Sequence, residues 1–159
     1  MDINTVNEGM SLAEALQQRA DIKTRISQLH SRLNDNAKVQ EGEAPAEDPL
    51  RLIELLGAEC EAYEELIRRI NLTNAATVLD GQTLTALLAR RDALSLELSI
   101  MRDFLQQASQ RIDRYSKTEI KILPTVDVTA MQKTVDAKSK ELRQLDAAIQ
   151  KLNWTTMLI

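Results

Sequence analysis

"TLTALLARRDALSLELSIMRDFLQQASQRIDRY", Thr83 to Tyr115, is the stretch that decides the fold class. Leu84, Leu87, Arg91, Leu94, Leu98, Met101, Leu105, Ala108, Ile112 and Tyr115 recur three and four residues apart without a slip. That rhythm belongs to a helix packed along a seam, not to a strand. A helix over about 83–116 would be roughly 48 Å long at 1.5 Å per residue.

Three further segments carry the same rhythm. Ser11-Leu-Ala-Glu14 reads as a capping box, in which serine and glutamate satisfy free amides reciprocally. Behind it Leu12, Ala15, Arg19, Ile22, Ile26, Leu29 and Leu33 form a seam, predicting a helix over about 11–34 that ends at Asn34-Asp35-Asn36. Asp48 and Pro49 open the next helix, since proline costs nothing in a first turn. Its seam reads Ile53, Leu56, Cys60, Tyr63, Ile67 and Ile70, over about 49–71. Leu52, Leu55 and Leu66 widen the stripe, and Glu59 lies among them. The last helix, about 128–152, begins near Asp127 or Thr129 with Val128, Met131, Val135, Lys138, Leu142, Leu145, Ile149 and Leu152 on its seam.

Composition agrees with an all-α chain. Of 159 residues, 43% are hydrophobic but only 3% aromatic, and there are 4 Gly and 3 Pro. The core must be aliphatic, and a barrel or sandwich would need more turn residues. The expected architecture is an elongated antiparallel four-helix bundle, or two long helical hairpins with coiled-coil-like seams. Residues 1–10 read as an N-terminal extension to a single domain, 11–159. Between the last two helices "SKTEIKILPTVDV" breaks the pattern at Pro124. Residues about 118–126 are expected to be extended, and the C-terminal "NWTTMLI" is a candidate strand partner for Ile120 to Leu123.

Charge and motifs exclude several functions. The net charge is −4, and the segment Asn34–Asp48 accounts for it, with Asp35, Glu41, Glu43, Glu47 and Asp48 against Lys38. No basic face and few aromatics argue against nucleic acid. No apolar run approaches a membrane span, and "MDINTVNEGM" is not a secretory leader. A lone Cys60 suits a reducing, cytoplasmic setting, where it reads as a small buried hydrophobe. The acids of "ECEAYEEL" lack the Glu-x-x-His that di-metal bundles use, so a solvated face is expected and no metal. No Gly-rich phosphate loop or nucleophile elbow is present, His30 has no sequence partner for catalysis, and no cofactor is expected.

Two features exceed scaffold chemistry. Arg19, Arg91 and Lys138 interrupt apolar seams, which suits polar layers that fix register. "NLTNAATVLDGQT", Asn71 to Thr83, joins two helices and is unusually rich in Asn and Thr. Asn71 can end one helix, Asp80-Gly81 makes a turn and Thr83 can cap the next. The remainder leaves Asn71, Thr73, Asn74 and Thr77, with Arg91 or Arg19, as a candidate site for a small anionic polar ligand.

The polar strings "NAKVQEGEAPAEDP" (Asn36 to Pro49), "INLTNAATVLDGQTLTALLARRD" (Ile70 to Asp92), "DRYSKTEIK" (Asp113 to Lys121) and "LNWTT" (Leu152 to Thr156) resemble a small family of bacterial helical proteins labelled septicolysin-like. "MSLAEAL" resembles that family's start. The resemblance implies a helical fold and a bacterial cytosolic setting, and the label implies a thiol-activated, pore-forming cytolysin. It supplies no catalytic residues. These features favour a non-enzymatic, self-associating interaction module, with the ligand-binding protein or enzyme as runner-up and the toxin third.

Overall fold

In the computed structural model, residues 9–110 and 122–159 are described. The elements run α1 (Leu12–Asp35), α2 (Pro49–Ala76), β1 (Val78–Leu79), β2 (Gln82–Thr83), α3 (Leu84–Ser109) and α4 (Val128–Thr155). The chain is all-α, with one tiny antiparallel ribbon among the described residues. It divides into two compact units: residues 1–84 with 150–159, and residues 85–149.

The first unit is built on the antiparallel hairpin of α1 and α2. The capping box starts α1: Ser11 N–H donates to Glu14 Oε2 at 2.7 Å and Glu14 N–H donates to Ser11 Oγ at 3.2 Å. Leu12, Ala15, Ile22 and Leu29 are buried along it. Asn36 closes the helix and anchors the acidic loop, its Nδ2 donating to the Arg32 carbonyl and its Oδ1 accepting from Glu47 N–H at 2.8 Å. Glu47 then pairs with Arg32 through both carboxylate oxygens. Asp48 Oδ1 caps α2 by accepting from Leu50 N–H at 3.0 Å.

The seam of α2 keeps the expected Leu56, Tyr63 and Ile70 but takes Leu52, Glu59 and Leu66 in place of Ile53, Cys60 and Ile67. Leu52, Leu66, Ile70 and Thr73 are the buried positions, whereas Ile53 is 54% exposed and Cys60 is exposed. Leu52, Leu56, Glu59, Tyr63, Leu66, Ile70 and Thr73 keep a strict four-and-three spacing. Cys60 is therefore no buried hydrophobe. The true seam also carries α2 past Asn71 to Ala76, so half of the expected loop is helix.

After α2 the chain makes a minimal hairpin. Val78 pairs with Thr83 and Leu79 with Gln82, around Asp80 (φ 50°) and Gly81 (φ 80°). Positive φ at both central residues gives the turn the right-handed twist of the strands, which is why Asp-Gly serves there. Leu84 N–H donates to the Thr77 carbonyl at 2.8 Å and extends the ladder into α3.

The C-terminal tail completes this unit. Met157 bridges antiparallel to Ser11, with Leu12 N–H donating to the Thr156 carbonyl and Leu158 N–H to the Met10 carbonyl, each at 2.8 Å. The tail's strand partner is thus the segment before α1. Of the extended segment expected near 118–126, residues 118–121 lie outside the described residues, as does the expected run of the third helix beyond Gln110.

The second unit pairs α3 with the Val128–Ile149 part of α4. Leu94, Leu98, Leu105 and Val135 form its core, flanked by Met101, Val128, Met131 and Leu142. Three polar contacts join the two helices: Arg90 to Glu141 at 2.6 Å and Lys138 to Glu97 at 2.9 Å, which follow the antiparallel order, and Arg102 to Ser139 at 2.8 Å. Asp127 caps α4, its Oδ1 accepting from Ala130 N–H at 3.0 Å.

Candidate functional site

The Asn/Thr-rich segment is helical surface, not a loop. Thr73 is fully buried, and its hydroxyl is spent twice: Oγ1 donates to the Arg69 carbonyl at 2.9 Å and accepts from Ile159 N–H at 3.0 Å. Thr77, the C-cap of α2, donates its hydroxyl to the Thr73 carbonyl at 2.7 Å. Both follow the habit of helical threonines, which return their hydroxyl to the carbonyl one turn back. Arg69 Nε donates to the Ile159 carbonyl at 2.7 Å, so the end of α2 holds the tail from two sides. Asn71 is exposed and Asn74 half-buried. Helical geometry sets them about 60° apart around the axis.

Arg19 is half-buried on α1. The bidentate pair of Arg25 with Glu59, at 2.8 and 2.9 Å, ties α1 to α2. Glu59, the acid on the inner face of α2, therefore meets Arg25 and not a seam cation. Its side chain is the less exposed partner, at 24% against 47%. Arg91 belongs to the second unit and turns both Nε and Nη2 onto Asp92 Oδ1, at 2.9 and 2.7 Å. Lys138, the third seam cation, is neutralised by Glu97.

Electrostatics across the described residues is that of a salted helical surface. Ser11 holds the Glu14 carboxyl below the usual carboxylate range by hydrogen bonding, and Arg32 and Arg68 do the same to Glu47 and Glu65. No group of three or more His, Cys, Asp and Glu that could hold a metal occurs among the described residues. None of the described helices is long and apolar enough to cross a membrane.

Two features were missed in the sequence. The tail-docking pair of Thr73 and Arg69 could have been found by extending the seam one step past Ile70. The other is a second apolar stripe on α3: Leu96, Ile100 and Phe104 are 65%, 61% and 43% exposed. Spacing alone reveals it, since these residues and the exposed Ala89 and Ala93 recur every three or four positions, out of phase with the core seam.

A solved structure of a functionally unknown conserved protein from Corynebacterium diphtheriae has 44% identity to this chain and a TM-score of 0.86, covering 95% of this chain and 99% of its own. No curated protein matches. Residues 19–158 match a family of unknown function, and the chain accordingly belongs to DUF6847.

Proposed function

We propose that this protein is a non-enzymatic, cytoplasmic helical module that self-associates through coiled-coil-like contacts and acts as a structural or interaction component. The observation that carries the reading is the outer stripe of α3. Ile100 and the core residue Leu98 point about 160° apart on a helix. Leu96 and Ile100 thus point away from the face α4 covers, Phe104 lies at the border between the two faces, and water is a poor neighbour for the exposed stripe. A second copy offering the same face is the simplest cover, because isologous contacts use one patch twice. The exposed thiol of Cys60 suits a reducing compartment.

Light scattering across a concentration series tests the reading. The wild-type chain is expected above its 17.9 kDa monomer mass, and Ile100→Glu is expected to return it to that mass with helix content intact. A monodisperse monomer up to high micromolar concentration would defeat it. The runner-up is a binding protein or enzyme for a small anionic polar ligand; of its candidate residues Asn71, Asn74, Thr77 and Arg19 lie in one unit, while Thr73 is buried with its hydroxyl engaged. It requires a thermal shift with a metabolite that Arg19→Ala removes. The septicolysin-like, pore-forming reading is third, and intact dye-loaded vesicles after exposure to the protein would dispose of it.

A further inference from the structure

We propose that the cleft between α3 and α4 binds the phosphoryl group of a soluble phosphorylated small molecule. The cleft has a volume of about 530 Å³ and lies wholly within the second unit. It is a shallow groove open to solvent, with Leu105, Val135 and Ser139 as its buried floor. Two arginines stand in its lining, Arg102 from α3 and Arg143 from α4.

Their lack of an acidic partner sets these two arginines apart from Arg90 and Arg91 among the described residues of the unit. Arg90 pairs with Glu141 and Arg91 with Asp92. Among the described residues, neither Arg102 nor Arg143 has a carboxylate partner. Arg102 instead donates from Nη2 to Ser139 Oγ at 2.8 Å. Ser139 is only 9% exposed, and its own proton goes to the Val135 carbonyl at 2.6 Å, so Oγ is left to accept. That contact orients the guanidinium without cancelling its charge. A guanidinium has five N–H donors in a rigid fork, and one contact to a hydroxyl leaves most of them for a ligand. Charge-assisted, bidentate pairing with phosphoryl oxygens is what such a fork favours.

Gln106 and Gln132 stand in the same lining and add neutral amide groups. Asp136 accepts from Gln132 Nε2 at 2.9 Å through one oxygen. Its second oxygen can accept from a hydroxyl carried by the ligand. The cleft therefore suits a phosphorylated hydroxy compound over a bare polyanion. The site is separate from the outer stripe of α3 and does not rest on self-association.

Amide NMR of the full chain, titrated at constant ionic strength with inorganic phosphate and with glycerol 3-phosphate, tests the proposal. Expected are saturable shifts confined to residues about 102–109 and 132–143, with glycerol 3-phosphate the tighter ligand. Arg143→Gln, at an exposed position, should weaken binding at least about tenfold while helix content is unchanged. Arg102→Gln should do the same, and Asp136→Asn should erase the preference for the glycerol ester. Shifts that rise linearly and spread over all basic residues would overturn the site. So would an affinity that Arg143→Gln leaves untouched.

Discussion

Thr73 shows how one hydroxyl can serve two elements. It is fully buried, bonded to its own helix on one side and to the tail on the other. Replacing it by valine keeps the shape but leaves Ile159 N–H without its acceptor. Chemical denaturation of Thr73→Val should show a loss of about 1–2 kcal/mol, the usual cost of orphaning such a group. Thr77→Val loses a hydroxyl that bonds only within α2, and a smaller loss is expected. Cys60 is the opposite case. Its exposed thiol should react with a disulfide reagent in the native state nearly as fast as after unfolding, and Cys60→Ser should change stability by less than about 0.5 kcal/mol. A thiol that reacts only after unfolding would mean that α2 sits in the register that places Cys60 on its seam.

That register error has a specific origin, and it belongs to the element. Leu52-Ile53 and Leu66-Ile67 are adjacent apolar pairs, so spacing alone admits two seams that share Leu56, Tyr63 and Ile70 and differ by one residue at the alternate positions. Glu59 makes the true seam look interrupted, and Cys60 makes the false one look continuous. The structure decides because Glu59 finds Arg25, and an acid with a cation at hand can occupy a seam position. Leaving Glu59 off the seam also hid Thr73 as the seam's next polar member, and with it the last turn of α2. By contrast α3 has such pairs too, as in Leu87-Leu88 and Ile100-Met101, but no acid falls on the seams of α1, α3 and α4, and those seams were legible. Of the candidate site, the residues were legible as polar; that Thr73 and Thr77 turn back onto the helix was not, because composition does not distinguish a polar loop from a polar helix end.

The helix termini give predictions at the same scale. Ser11→Ala removes the cap of α1 and should cost about 1 kcal/mol. Glu14, Glu47 and Glu65 are all held below their ordinary range by hydrogen bonds. Depressed carboxyls favour the folded state fully above their unfolded values, and that advantage is lost as the pH falls through the folded ones. Thermal midpoints should therefore be flat near neutrality and drop once the pH passes below the carboxylate range. Glu47→Gln should lessen the drop, and added salt should reduce it for these exposed groups. A midpoint that instead fell towards alkaline pH would contradict the assignment.

At the scale of the whole molecule, the regular seam of the third helix settled the helical class, while the outer stripe of α3 was legible only as spacing without a partner. An amphipathic helix normally shows one apolar face; α3 shows two, and α4 covers one of them. If a second copy covers the other, stability is linked to protein concentration, since association favours the folded, associated state by mass action. The thermal midpoint of the wild-type chain should then rise with each tenfold increase in concentration. Ile100→Glu should abolish the dependence, and Leu98→Ala should lower the midpoint at every concentration, by the equivalent of about 2–5 kcal/mol, through the cavity it opens in the core. The two variants separate the faces of one helix. A midpoint independent of concentration in the wild type, with Ile100→Glu indistinguishable from it, would mean that the stripe meets only water and that self-association must be abandoned.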